Sequence, residues 1–160
     1  MGIVKTNAIR QIEAKKWHFK LYEYQAPEGF LDGKSVAAEI GVAPEKVYKT
    51  LVTQGLSREV YVFVIPVGKE LDLKKAAQIF KEKKIEMIPS KDITAVTGYV
   101  KGGCSPVGMK KTYKTALDET AEGFETIVFS GGRVGLQVEL EVKGLKILAN
   151  ALVGSLTVHG

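Results

Sequence analysis

The stretch Val-Tyr-Val-Phe-Val-Ile-Pro, residues 60–66, constrains the fold more than any other part of the chain. It is apolar almost without interruption, and it is too short to span a bilayer. A run of this length reads as a central β-strand covered on both faces. Other layers of structure must then lie on each side of it. A second segment gives the complementary signal. In residues 135–142, Leu136, Val138, Leu140 and Val142 alternate with Gln137, Glu139 and Glu141. That period of two marks a half-buried, antiparallel strand with one apolar and one polar face.

The remaining elements follow from caps, turns and periodicity. Thr6 or Asn7 caps a first helix running to about Lys16. The aromatic-rich segment WHFKLYEY reads as a strand, and QAPEGFLDGK as a loop. Ser35 caps a short helix that Gly41 ends. Pro44 suits the first position of another helical turn, and YKTLV opens a strand. Asp72 starts a helix in which Leu73, Ala76, Ala77 and Phe80 recur at helical spacing. Residues 91–97 read as a further short helix, and ETIVFSGG as a strand that ends in a turn. A last helix, about Lys143 to Leu152, puts Leu145, Leu148, Ala149 and Leu152 on one side. The sum is an α+β fold, with a mixed, largely antiparallel sheet and surrounding helices, in one domain over residues 1–160.

Composition narrows the function. With one cysteine among 160 residues, the chain cannot build an internal disulfide framework or a thiol-rich zinc site. A reducing, cytoplasmic compartment is the expectation. The opening residues, MGIVKTNAIRQIEAKK, are charged and amphipathic, unlike a signal peptide. No apolar run is long enough for a membrane span. The net charge is +5, with lysines grouped at 74–75, 81–84 and 110–114. Such groups suit a polyanion such as RNA, or simply solvated faces.

Candidate chemistry concentrates in two places. The first is GYVKGGCSPVG, residues 98–108. Its spacing is not that of a phosphate loop or a dinucleotide fingerprint. Gly102 and Gly103 let a ligand approach bare backbone N–H groups, which can form an anion nest or an oxyanion hole. The same glycines also suit a plain tight turn. Cys104 as a nucleophile would need a base, and the two histidines, His18 and His159, lie far from it in sequence. A free cysteine more often behaves as a small buried hydrophobe. The second place is Lys49 in VYKTLV. At period two it shares a strand face with Val47 and Leu51, where a cation must snorkel, pair or serve a site. Asp118, Glu119, Glu122 and Glu125 read as solvated, with Asp118 a candidate cap.

Taken in order, VYKTLV, GYVKGGCSPVG and FETIVFSGGRVGLQVEL resemble the YbaK/EbsC family. Its members are freestanding aminoacyl-tRNA deacylases related to the editing domain inserted in some prolyl-tRNA synthetases. The resemblance covers nearly the whole chain and is strongest to the branch that acts on Cys-tRNA(Pro). It implies hydrolysis of the ester joining a wrong amino acid to tRNA, with Lys49 in the pocket and required for activity. It places the amides of Gly102 and Gly103 at the reacting carbonyl or the terminal ribose. It also implies that Thr50, Ser105 and Pro106 shape the pocket, that Tyr24 and Phe30 supply pocket aromatics, and that Ser130, Gly131 and Gly132 form a second wall. For a cysteinyl substrate it implies that the substrate's own thiol attacks, with no protein nucleophile, metal or organic cofactor. The partners implied are aminoacyl-tRNA, tRNA(Pro) in particular, and prolyl-tRNA synthetase. Two alternatives stay open. One is an Ala-tRNA(Pro) or broader deacylase that uses water. The other is a non-catalytic module that binds tRNA or a synthetase.

Overall fold

The computed structural model describes residues 5–26 and 32–158. In chain order the strands are β1 (Phe19–Glu23), β2 (Tyr48–Gly55), β3 (Val60–Pro66), β4 (Ile85–Met87), β5 (Lys114–Asp118), β6 (Thr126–Arg133), β7 (Leu136–Glu141) and β8 (Ala151–Gly154). The helices are α1 (Asn7–Ala14), α2 (Gly33–Ile40), α3 (Leu73–Ile79), α4 (Ile93–Thr97) and α5 (Val142–Ala149). Short 3-10 turns occupy Pro44–Lys46, Ser90–Asp92 and Glu119–Gly123. No helix among the described residues is long and apolar enough to cross a membrane.

The strands form two sheets. One has the order β1-β7-β6 and is antiparallel throughout; the other has the order β4-β2-β3-β5-β8. In the second, β2 runs antiparallel to both β3 and β4, whereas β5 runs parallel to β3 and β8. The sheet structure is thus mixed and largely antiparallel, as expected, but divided in two.

β3 is buried on both faces because it separates two cores. Tyr61, Phe63 and Ile65 pack with Ala76 and Ala77 of α3, Ile85 and Leu156. Val64 turns the other way, into a cluster with Phe129, Leu136, Val138 and Leu140 from β6 and β7. α1 closes that second cluster with Ala8, Ile9 and Ile12. The period of two in β7 points Leu136, Val138 and Leu140 inward as the sequence implies. In α3, Ala76 and Ala77 are buried as expected, whereas Leu73 is 40% exposed and Phe80 caps the helix end while packing beside them.

Several boundaries move. Thr6 caps α1, accepting from Ile9 N at 3.2 Å, but the helix stops at Ala14 rather than Lys16. Asp32, not Ser35, caps α2: its Oδ1 accepts from Ser35 N at 2.9 Å. A carboxylate is the stronger acceptor for an exposed helical amide. α5 ends at Ala149, where Asn150 adopts a left-handed conformation at φ 49°. Leu152 consequently belongs to strand β8 and is 50% exposed. β4, β5 and β8 are strands that periodicity does not reveal, each having five residues or fewer. Asp118 is not solvated. It is 2% exposed, caps the following 3-10 turn through Thr120, and accepts from Leu156 N at 3.0 Å.

Candidate active site

The site begins with an unfinished strand edge. Val67 N–H donates to Val47 O and Gly55 N–H to Glu59 O, both at 2.9 Å. Odd-numbered residues of β2 therefore turn their main-chain groups to β3, and even-numbered residues turn theirs to the opposite edge. β4 covers that edge only along Thr53–Gly55, extended by Ile88 N–H donating to Val52 O at 3.2 Å. At the start of the strand, Val47 bridges instead to Val128 of β6. Thr50 lies between these two coverings. A cleft of about 720 Å³ opens at this gap, lined by residues 47–52 together with Tyr24, Glu70, Gly102, Cys104, Ser130 and Gln137.

Neighbouring residues of β2 point to opposite faces, so the gap receives side chains from both. Lys49 stands beside Val47 and Leu51. Among the described residues it has no carboxylate within ion-pair distance, and burial pulls its pKa down while nearby Glu70 pulls the other way. Thr50 Oγ1 is buried and has no hydrogen-bond partner among the described residues; Gln137 Oε1 is in the same condition. Gln137 is 7% exposed and sits opposite Ser130 in the β6–β7 register. Buried polar atoms without partners are uncommon, and both of these belong to residues that line the cleft.

The glycine-rich loop supplies the facing wall, and its two adjacent glycines do different work. Gly103 N–H donates to Val100 O at 2.9 Å, closing a tight turn with Gly102 in its third position at φ 85°. A type II turn requires that left-handed conformation. Gly103 is required by proximity instead: a Cβ there would lie 2.9 Å from Arg133 Cα and Val134 N. Its N–H is thus committed to the turn, and only Gly102 of the pair lines the cleft.

Cys104 also lines the cleft, with Sγ 3.7 Å from Thr97 Oγ1 and 3.8 Å from Val100 O. Burial pushes its thiol pKa up, against a smaller opposing effect of the Thr97 hydroxyl. A neutral thiol is a poor nucleophile. His18 is exposed on the approach to β1 and does not line the cleft, and His159 lies outside the described residues.

The aminoacyl-tRNA editing domain family matches residues 31–147. EbsC of Enterococcus faecalis, named for Cys-tRNA(Pro)/Cys-tRNA(Cys) deacylation, is 43% identical over 153 residues, covering 96% of this chain and 93% of that protein. The chain belongs to the YbaK/EbsC family of editing domains. Solved structures agree on the editing-domain fold. A crystal structure described as a trans-editing enzyme for prolyl-tRNA synthetase superposes with a TM-score of 0.84 at 25% identity, covering 98% of this chain and all of that one. The protein APE2540 superposes with a TM-score of 0.86 at 22% identity over 96% of this chain and all of its own, a likeness of fold alone.

In this editing domain the cleft gathers Tyr24, Lys49, Thr50, Gly102 and Ser130 from the residues singled out in the sequence. Phe30 lies outside the described residues. Ser105 is fully buried, its Oγ accepting from Val107 N, and Pro106 lines a separate small pocket beside Met109. Gly131 accepts from Thr6 Oγ1 through its carbonyl oxygen. Gly132, at φ 106°, leaves no room for a Cβ beside Thr6 and Tyr99. These four, with Gly103, do not line the cleft. Gln137 is a cleft residue that sequence reasoning misses, as are Lys34, Lys69, Glu70 and Lys101. Strand alternation assigns Gln137 to the polar face of β7 without saying what covers that face.

Proposed function

We propose that this editing domain hydrolyses the ester between a wrongly attached amino acid and tRNA, with cysteine on tRNA(Pro) as its leading substrate. The observation that carries the reading is the gap in the β2 edge, where Lys49, Thr50 and Gly102 meet around buried polar atoms that lack partners. The ester carbonyl sits with its developing oxyanion toward Gly102 N–H. One such donor contributes about 3 kcal/mol to lowering the barrier. Lys49 places a cation beside the ester and the terminal ribose.

The attacking group is the substrate's thiol. It gives up its proton and forms a C–S bond at the ester carbon, the C–O bond to the ribose breaks, and the ribose oxygen takes a proton. Water then opens the cyclic thioester to free cysteine. Intramolecular delivery lowers the entropic barrier. A serine hydroxyl is far less acidic than a thiol, and alanine has no nucleophile to offer. That selectivity supplies what a proline-sized synthetase pocket cannot, since small apolar differences discriminate weakly.

Lys34, Lys69 and Lys101 at the cleft hold the tRNA backbone without reading its sequence. Prolyl-tRNA synthetase is the partner that presents the mischarged tRNA, and the cytoplasm is where both are met. The test is deacylation of cysteinyl, alanyl and seryl esters on one tRNA(Pro). The cysteinyl ester is expected to disappear fastest. Equal rates would replace the substrate thiol with water, and no hydrolysis of any ester would refute a deacylase.

A further inference from the structure

The lining of the cleft is cationic. Lys34, Lys49, Lys69 and Lys101 face it, against two carboxylates among the described residues, Asp32 and Glu70. That balance favours a polynucleotide and opposes the positive α-ammonium group of an aminoacyl ester. Whatever admits the ammonium must reverse the sign locally. Asp32 is already occupied: Oδ1 accepts from Ser35 N at 2.9 Å and Oδ2 from Ser35 Oγ at 3.1 Å. The Glu70 carboxylate has no hydrogen bond or ion pair with any described residue, yet it stands close enough to Lys49 to act on its charge.

Glu70 is exposed, but its backbone is held. Val158 N–H donates to Glu70 O at 3.0 Å, Leu71 bridges to Thr157, and Asp72 N–H donates to Leu156 O at 2.8 Å. The segment doing the holding is itself fixed, because the buried Asp118 accepts from Leu156 N. Lys75 adds a bond from Nζ to Thr157 O at 2.8 Å. The Glu70 carboxylate thus stands at the rim of a cationic cleft on a braced segment.

We propose that Glu70 binds the free α-ammonium group of the aminoacyl substrate, so that the site discriminates against esters whose amino group is acylated. The proposal rests on the deacylase reading above. Glu70 and Lys49 then divide the substrate between them. The carboxylate takes the cationic amino group, and the lysine takes the electron-rich ester and ribose side.

The experiment measures binding of two non-hydrolysable probes, 3′-cysteinylamido-adenosine with a free amino group and its N-acetyl counterpart. The full chain, Glu70→Gln and Glu70→Asp are compared, alongside hydrolysis of the matching tRNA esters. The wild-type preference for the free amine is expected to fall about two- to fivefold in Glu70→Gln, the size of an exposed ion pair. Glu70→Asp should recover part of it. An unchanged preference in Glu70→Gln overturns the role of Glu70 while leaving deacylation standing. Failure of the wild type to bind either probe or cleave either ester overturns the deacylase reading and this inference together. Because Glu70 is exposed, the substitution leaves the core intact, and circular dichroism verifies that.

Discussion

Two pairs of residues in this molecule are close in sequence and opposite in circumstance. Lys46 and Lys49 are three residues apart; Glu139 and Gln137 are two apart on one face of β7. Lys46 Nζ lies 2.7 Å from Glu139 Oε2, and the same carboxylate accepts from Thr126 Oγ1 at 2.5 Å and Tyr22 OH at 2.6 Å. Burial pushes the Glu139 pKa up, but the bonds from Lys46, Thr126 and Tyr22 outweigh it and hold it at about 2. Lys49 and Gln137 have no such partners among the described residues. The first pair is complete within the protein and belongs to its stability. The second pair is incomplete among the described residues, and in the function we propose it is the substrate that completes it.

The comparison is broken most directly at Lys49. Lys49→Ala is expected to lower the deacylation rate by about 100-fold or more with the urea midpoint unchanged or slightly raised. Retained activity would remove Lys49 from the site. Glu139→Gln should do the reverse, destabilising the fold by about 1–2 kcal/mol in urea titration while the rate per folded molecule holds. Its pH dependence sharpens the point. The carboxyl is depressed from 4.5 to about 2, so its contribution is present above 4.5 and lost as the pH falls toward 2. Wild-type stability should therefore decline more steeply across that window than that of Glu139→Gln.

Gln137→Leu should lower kcat/KM by roughly tenfold, the value of one lost hydrogen bond. It should leave stability equal or higher, because it removes an unpartnered buried polar atom. A large loss of stability instead would mark Gln137 as structural. The smallest effect is expected of Cys104→Ala, which should keep most activity. An inactive, folded Cys104→Ala would restore the protein thiol as the attacking group.

These contrasts also explain how much could be read from the sequence. The uninterrupted run at β3 and the alternation in β7 carry their own periodicity, so both strands and the layers around them were legible. β5 and β8 pair in parallel, and their neighbours come from distant sequence, so no local pattern marks them. Lys49 was legible as a site candidate, because a lysine among apolar strand residues is conspicuous; Thr50 came only from the family resemblance. Gln137 was not legible, since a polar residue on a polar face looks ordinary until the other wall of the cleft is in place. The adjacent glycines at 102 and 103 look alike in sequence. A turn requires one and the β6–β7 connection crowds the other, and only tertiary structure separates those causes.

The braced segment at Glu70 bears on the order of synthesis. Its partners, Leu156 to Val158, emerge from the ribosome some eighty-odd residues after it. Until they do, a nascent chain carries the rim of the cleft as a loose tether, and contacts of such long sequence separation form late. A chain stopped after Asn150 should be cut by trypsin at Lys69 faster than the full-length protein. Editing competence would then wait on residues 156–158, well after the central strand is in hand.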